Sequence, residues 1–103
     1  MPMCRTEDIT TMAELRAAID ACDRELMALL AQRASLIDRA IALKPGEGLP
    51  ARIGARVEEV AMNARANARA AGFDPDFAEA LWRQIIDWSI AREEIVLGPT
   101  AAA

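Results

Sequence analysis

Residues 11–44 read TMAELRAAIDACDRELMALLAQRASLIDRAIALK and carry one continuous helical pattern. The apolar positions recur at alternating spacings of four and three, which keeps one face of a helix towards a partner. The stretch therefore predicts a single long α-helix. The apolar seam of this helix consists of Leu15, Ile19, Cys22, Leu26, Leu29, then Arg33, then Leu36 and Ala40.

Two cations lie on the same face of this predicted helix. Arg33 occupies a seam position, and Lys44 follows eleven residues later, which is about 20° past three full turns and about 16 Å along the axis. A guanidinium is seldom fully buried unless it is paired. The nearby carboxylates on the helix, Asp23 and Asp38, lie off the seam. We therefore expect an anionic group from elsewhere to meet both cations.

Composition excludes several classes of function. The chain has 103 residues, a net charge of −4 and no histidine, and its pI is about 4.8. These values predict one domain over residues 1–103 and no nucleic-acid partner. Without histidine, and with only two cysteines, no zinc site and no resident cofactor is expected.

The cysteines and the N-terminus indicate a reducing compartment. Cys22 lies in the seam as a small buried hydrophobe, and Cys4 lies in a polar leader, so a disulfide framework is not expected. The leader has no apolar signal core, and no apolar run approaches the length of a membrane span. The sequence therefore predicts a cytoplasmic protein with no membrane partner.

The rest of the chain predicts two further helices and no strand. Thr11 and Glu14 form a capping box that starts the first helix, and Pro45 is expected to end that helix at Lys44. Asp74 is expected to cap the third helix, with Pro75 at its first position. The predicted order is a leader at 1–10, helices at 11–44, 50–71 and 74–97, a loop at 45–49 and a tail at 98–103.

The second helix has an interior face of small residues, which predicts close packing against a neighbour. Gly72 is expected to terminate this helix. The residues of that face are Val57, Val60, Ala61, Ala64, Ala68 and Ala71.

The length of the first helix indicates a second copy of the chain. A helix over 11–44 is about 50 Å long, and two shorter helices cannot cover it. Arg16 lies 28 residues before Lys44, or about 42 Å along the axis, so one chain cannot bring both side chains to one small ligand. An antiparallel or crossed dimer can. The alternative for Arg16 is a solvated charge on the helix surface.

Three segments of the first helix resemble the all-α chorismate mutases. Residues 15–23 read LRAAIDACD, residues 29–33 read LLAQR, and Lys44 follows eleven residues later. Residues 50–56 are similar to the start of that family's second helix, and residues 84–90 are similar to its third. The leader segment 7–10 and the QIIDW segment 84–88 also resemble the isochorismate-pyruvate lyase branch of the same fold.

This resemblance implies an intertwined helical homodimer with two sites that bind a small dianionic substrate. By position, Arg16 would be supplied across the interface by the partner copy. Arg33 and Arg56 would hold the substrate carboxylates, and Lys44 would hydrogen-bond a carboxylate and the ether oxygen of the breaking bond. A unimolecular rearrangement needs no nucleophile, base or metal, so a chain without histidine can perform it.

The third helix would supply the remaining candidate site residues, Ser89 and Glu93. These two share one helix face with Trp82, Ile86 and Val96. Most bacterial family members have Gln at the position of Glu93, where it donates a hydrogen bond to the ether oxygen. The alternative for Glu93 is a structural carboxylate paired with Arg33 or Lys44. The two tryptophans, Trp82 and Trp88, are expected to pack in the core or at the dimer interface.

The second helix departs from the family pattern around Arg56. Ile53 and Val57 stand where many members carry acidic residues, and the lyase branch also has Val at the second of these positions. For Arg52 and Arg56 together, the alternative is a solvated arginine pair.

The sequence leaves three functions open. The first is a chorismate mutase, which the complete cation set favours. The second is an isochorismate-pyruvate lyase, and the third is a non-catalytic helical dimer that serves as a binding or regulatory module.

Overall fold

The computed structural model describes residues 6–99, and within that range it is helical with no strand. A short 3₁₀ turn at Thr6–Asp8 precedes α1 (Met12–Glu47), α2 (Gly54–Ala71) and α3 (Pro75–Leu97). The predicted all-α, three-helix architecture with a long first helix is confirmed. The predictions for Cys4, the first half of the leader and the end of the tail lie outside the described residues.

The start of α1 is capped much as the sequence predicts. The Glu14 backbone N–H donates to Thr11 Oγ1 at 3.1 Å, and the Leu15 N–H donates to the Thr11 carbonyl at 3.0 Å. Glu14 Oε2 accepts from the Thr10 backbone N–H at 3.2 Å. In a capping box the glutamate would accept from the N–H of Thr11, whereas here it accepts from the N–H of the preceding residue. The backbone N–H groups of Thr10 and Glu14 are both satisfied.

The end of α1 differs from the expectation that it stops at Lys44. Pro45 lies inside the last turn. A proline lacks only its own N–H and its φ is compatible with a helix, so this turn loses one hydrogen bond without being broken. Gly48 then adopts a left-handed φ of 68°, and the Leu49 N–H donates back to the Lys44 carbonyl at 3.0 Å.

The loop after α1 is shifted accordingly. It occupies residues 48–53 instead of 45–49, and α2 begins at Gly54 rather than near Pro50. Ile53 is the extended N-cap residue, and its side chain makes no capping hydrogen bond. Since an isoleucine gives no capping signal, the sequence offered Pro50 as the nearest plausible start.

The turn between α2 and α3 forms as predicted. Gly72 ends α2 with φ 73°, and its N–H donates to the carbonyls of Ala68 and Arg69. The Asp74 carboxylate accepts from the backbone N–H groups of Asp76 and Phe77, with Pro75 at the start of α3. These caps are determined by residues next to one another in the chain, which is why they could be predicted.

The core of the described chain lies between α2 and α3. Small residues on α2 let the two helices approach closely, and Ala61 is completely buried. The expected small face is confirmed for Ala61, Ala64 and Ala68, whereas Ala71 is exposed. The central cluster is Ala51, Ala61, Ile86 and Ile90, with Val57, Val60 and Leu97 packed against it.

By contrast, α1 contributes no buried residue. Cys22, expected to be buried in the seam, is exposed in the single chain. Two compact units, residues 1–35 and residues 36–103, divide the chain inside α1. None of the helices within residues 6–99 has the length and hydropathy needed to cross a membrane. The large apolar side chains that α1 leaves exposed are Met12, Ile19, Leu26, Met27, Leu29, Leu36 and Leu43.

A network of ion pairs joins α2 to α3. Arg83 forms two hydrogen bonds to Glu58, at 3.1 and 2.9 Å, and its Nε donates to Glu79 at 2.9 Å. Arg65 binds Glu79 at 3.0 Å and Asp76 at 2.8 Å. The hydrogen bonds from Arg83 lower the pKa of Glu58 and of Glu79 below the ordinary value of 4.5.

This network predicts that the fold is sensitive to acid. A carboxylate whose folded pKa is lowered contributes stability above its unfolded pKa, and that stability is lost as the pH falls through the folded value. We expect the free energy of unfolding to be level from about pH 7 to 5 and to fall below about pH 4. Urea unfolding at a series of pH values from about 7 to below about 4 measures the free energy of unfolding. Glu58→Gln should lose less stability on acidification than the wild type, and identical losses in the two proteins would contradict the assignment.

Candidate active site around Lys44 and Glu93

The side chain of Lys44 is anchored between the α1–α2 loop and α3. It lies in the last turn of α1 and is 16% exposed. Its Nζ donates a 2.8 Å hydrogen bond to the Ala51 carbonyl oxygen and lies 2.6 Å from Glu93 Oε1. Ala51 is itself buried. An ammonium carries three N–H donors, so Lys44 has the capacity to serve these two oxygens and one further acceptor.

Glu93 is a buried carboxylate on α3, with its side chain 5% exposed. No well-directed hydrogen bond reaches its Oε1 from residues 6–99, although Lys44 Nζ is only 2.6 Å away. The short distance between opposite charges makes the contact an ion pair, and its direction is poor for a hydrogen bond. Lys44 is therefore held by charge in a nearly dry position, where a second carboxylate could compete for it.

Ser89 lies one helical turn before Glu93 and is also buried. Its Oγ donates to the Ile85 carbonyl at 2.8 Å. The predicted shared face of Ser89 and Glu93 thus points into the protein. Beside this region, a cleft of about 380 Å³ opens between the α1–α2 loop and the end of α3, with Ala51, Leu49 and Leu97 in its lining.

A second ion pair, between Asp38 and Arg92, joins α1 to α3. The Arg92 Nε donates to Asp38 Oδ1 at 2.6 Å, and its Nη2 donates to Oδ2 at 2.9 Å. The guanidinium lies 5.5 Å from the centroid of the Trp88 ring. This hydrogen bonding lowers the pKa of Asp38 below its ordinary value of 3.8. In the sequence, Asp38 is recognisable only as a carboxylate near Arg33. Nothing in the sequence pattern signals its pairing with Arg92.

The predicted substrate-binding residue Arg56 lies on the exposed surface of α2. It forms an ion pair at 2.6 Å with Glu59, one turn further along the same helix. Arg52 pairs with Asp87 of α3 at 3.1 Å. Within the described chain the structure does not bring Arg56 to Lys44 or Glu93, so its substrate contact stays a prediction.

The two other predicted cations belong to the unit of residues 1–35. Arg16 is exposed and Arg33 is half-buried. Of the two tryptophans, Trp82 is half-buried and Trp88 is exposed. Among residues 6–99, no group of three or more potential metal ligands lies together. The candidate site consists of the half-buried Lys44 cation beside the buried Glu93 carboxylate.

Comparison with known proteins assigns the chain to a family of helical enzymes. Residues 15–94 match the sequence model of chorismate mutase type II, and the chain belongs to this family. The isochorismate pyruvate lyase of Pseudomonas aeruginosa is 36% identical over 90 residues, which cover 84% of this chain and 85% of that protein. The T-protein of Haemophilus influenzae is 37% identical over 84 residues, covering 80% of this chain but 22% of that protein.

Proposed function

We propose that the protein is a chorismate mutase that rearranges chorismate to prephenate. The observation that carries this proposal is the half-buried Lys44 ammonium, 2.6 Å from the buried Glu93 carboxylate. The resemblance of the chain to the family supports assigning these two residues to the ether oxygen of the breaking bond. The family match over residues 15–94 supports the same reaction.

The proposed reaction is a single pericyclic step. The ether C–O bond breaks while a new C–C bond forms, the electron pairs move around one ring, and no proton or co-reactant enters. Catalysis consists of holding the compact reactive conformation and stabilising the negative charge that develops on the ether oxygen. In this proposal Lys44 supplies the positive charge that stabilises the ether oxygen, while Arg33 and Arg56 hold the two carboxylates by their planar forks.

Glu93 gives the proposed site a feature of its own. A substrate dianion entering next to Lys44 meets a carboxylate that already neutralises this ammonium. An ionised Glu93 repels the developing charge on the ether oxygen, whereas a protonated Glu93 donates a hydrogen bond to it.

The proposal also includes a homodimer in which Arg16 reaches the site of the partner copy. We expect sedimentation at micromolar concentration to give about twice the chain mass of 11.2 kDa. The exposed apolar side chains of the α1 seam support this expectation, since covering them removes apolar surface from water.

A matched pair of variants tests the interface. Leu29→Glu places a charge in the seam, where Leu29 is 62% exposed in the single chain, and should give inactive monomer. Met27→Glu places the same charge on α1 away from the seam, at a residue that is 65% exposed, and should leave the dimer intact. A folded, fully active wild-type monomer would contradict the shared site.

The second candidate function is that of an isochorismate-pyruvate lyase. The observation that favours it is the similarity to the lyase of P. aeruginosa, which extends over 85% of that protein. Val57, directly after Arg56, also agrees with the lyase branch. Isochorismate is a similar dianion and its cleavage is also pericyclic, so the same cations could serve it.

Product analysis separates the two reactions. The purified protein is incubated with chorismate and, separately, with isochorismate, and prephenate, salicylate and pyruvate are quantified. We expect prephenate from chorismate as the faster reaction. Salicylate and pyruvate as the faster products would establish the lyase. No turnover of either substrate would leave the binding or regulatory module.

A further inference from the structure

The end of α1 that carries Lys44 has no buried apolar anchor. No residue of α1 is buried, and the core cluster is made by the α1–α2 loop, α2 and α3. Within the unit of residues 36–103, polar contacts at Asp38 and Lys44 tie α1 to α3. Ile37, Ala40 and Ile41 are half-buried, but the contacts that have both direction and charge are those at Asp38 and Lys44, and these position the Lys44 ammonium.

The two contacts hold α1 at different points. Asp38 and Lys44 are six residues apart, which is about 9 Å along the helix and about 120° around it. Their partners, Arg92 and Glu93, are consecutive on α3. One contact alone would let the end of α1 turn about a single point, whereas two contacts at separate levels and angles restrict both its rotation and its translation.

The geometry of the Asp38–Arg92 contact suits a positioning role. Both oxygens of Asp38 are bound by the guanidinium, at 2.6 and 2.9 Å, so the planes of the two groups are aligned as well as their charges. Trp88 lies one turn before Arg92, with its ring 5.5 Å from the guanidinium. Stacking on the ring restricts the arginine before α1 is engaged, which lowers the entropic cost of the contact.

We propose that Asp38 and Arg92 are positioning residues for the reaction: their ion pair sets the register of α1 against α3 and so places Lys44 Nζ against Glu93 and the substrate ether oxygen. This inference rests on the proposed function. The pair is electrically neutral and neither member is a ligand of the substrate. Its contribution to catalysis acts through the placement of Lys44.

Steady-state kinetics of Asp38→Ala, Arg92→Ala and the double variant test the proposal. Displacement of a reacting group by about 1 Å is enough to cost up to about a hundredfold in rate. We expect each single variant to lower kcat about tenfold or more, with KM changed by less than about threefold. The double variant should be no slower than the slower single, because both remove the same interaction. Arg92→Lys, which keeps the charge but not the fork, should be intermediate.

The control is Glu58→Ala, which breaks the matched two-hydrogen-bond pair of Glu58 with Arg83. Arg83 lies nine residues before Arg92 on α3, about 14 Å along the helix. This variant should keep the wild-type kcat even if it loses as much stability as Asp38→Ala. Equal kcat in Glu58→Ala and Asp38→Ala, or additive losses in the double variant, would overturn the proposal.

Amide hydrogen exchange separates a failure of this inference from a failure of the proposed function. If the wild type converts neither substrate, the proposed function is wrong. The role of the Asp38–Arg92 ion pair in the register of α1 is then judged by amide hydrogen exchange at residues 39–47. Faster exchange there in Asp38→Ala than in Glu58→Ala supports the register role of the ion pair. Equal exchange in the two variants overturns it.

Discussion

Replacing Lys44 with alanine is expected to lower kcat/KM for chorismate about a thousandfold, because loss of one fixed donor to a developing oxyanion typically costs about 10²–10³ in rate. Lys44 is the sole lysine of the chain, so no other ammonium side chain can substitute for it. Lys44→Arg should retain part of the activity, since the charge remains while its geometry changes. The measurement is initial-rate kinetics at saturating and limiting substrate.

Stability must be separated from catalysis in this experiment. Removing Lys44 leaves the Glu93 carboxylate, 5% exposed, without its cation, and we expect a loss of about 3 kcal/mol in unfolding free energy. Adding Glu93→Gln to Lys44→Ala removes the unpaired charge. The double variant should therefore regain stability and remain inactive. A double variant that regained both would show that Lys44 acts only as a structural ion.

Glu93→Gln alone is expected to raise kcat/KM about tenfold at about pH 7.5. The amide donates a hydrogen bond without taking up a proton, and it leaves the positive charge of Lys44 available to the dianion. Initial rates of both proteins at about pH 7.5 test this.

The control for this variant is Glu94→Gln, which removes the same charge at the next residue of α3. Its kcat/KM at about pH 7.5 should equal that of the wild type. Glu93→Gln no faster than the wild type would show that Glu93 does not face the breaking bond.

Much of the fold followed from local signals. The long first helix, the Thr11 and Asp74 caps and the glycine at the end of α2 depend on residues within one or two turns of each other, and the structure agrees with each. The helical spacing of Ser89 and Glu93 predicted that both face inward, and both are buried. Such features are recoverable because the chemistry that makes them is contained in a short segment.

The end of α1 and the partner of Arg56 were less predictable, because in each case the sequence contains two competing local signals. Pro45 was expected to end α1, yet the helix continues to Glu47, and the turn is closed by hydrogen bonds from the Gly48 and Leu49 N–H groups to the carbonyls of Pro45 and Lys44. Arg56 shares a helix with an acidic residue one turn away and pairs with it in the single chain. The sequence contains both Glu59 and the family position of Arg56, and it does not say which interaction the arginine makes before substrate arrives.

The sequence by itself determined the helical class and the chorismate mutase family, because these depend on composition, periodicity and motif. Only the tertiary structure decided which side chains meet across helices. Lys44 finds Glu93 and the Ala51 carbonyl, and Asp38 binds Arg92 although 54 residues separate them along the chain. Contacts of this kind depend on the register of one packed helix against another, and no short segment contains that information.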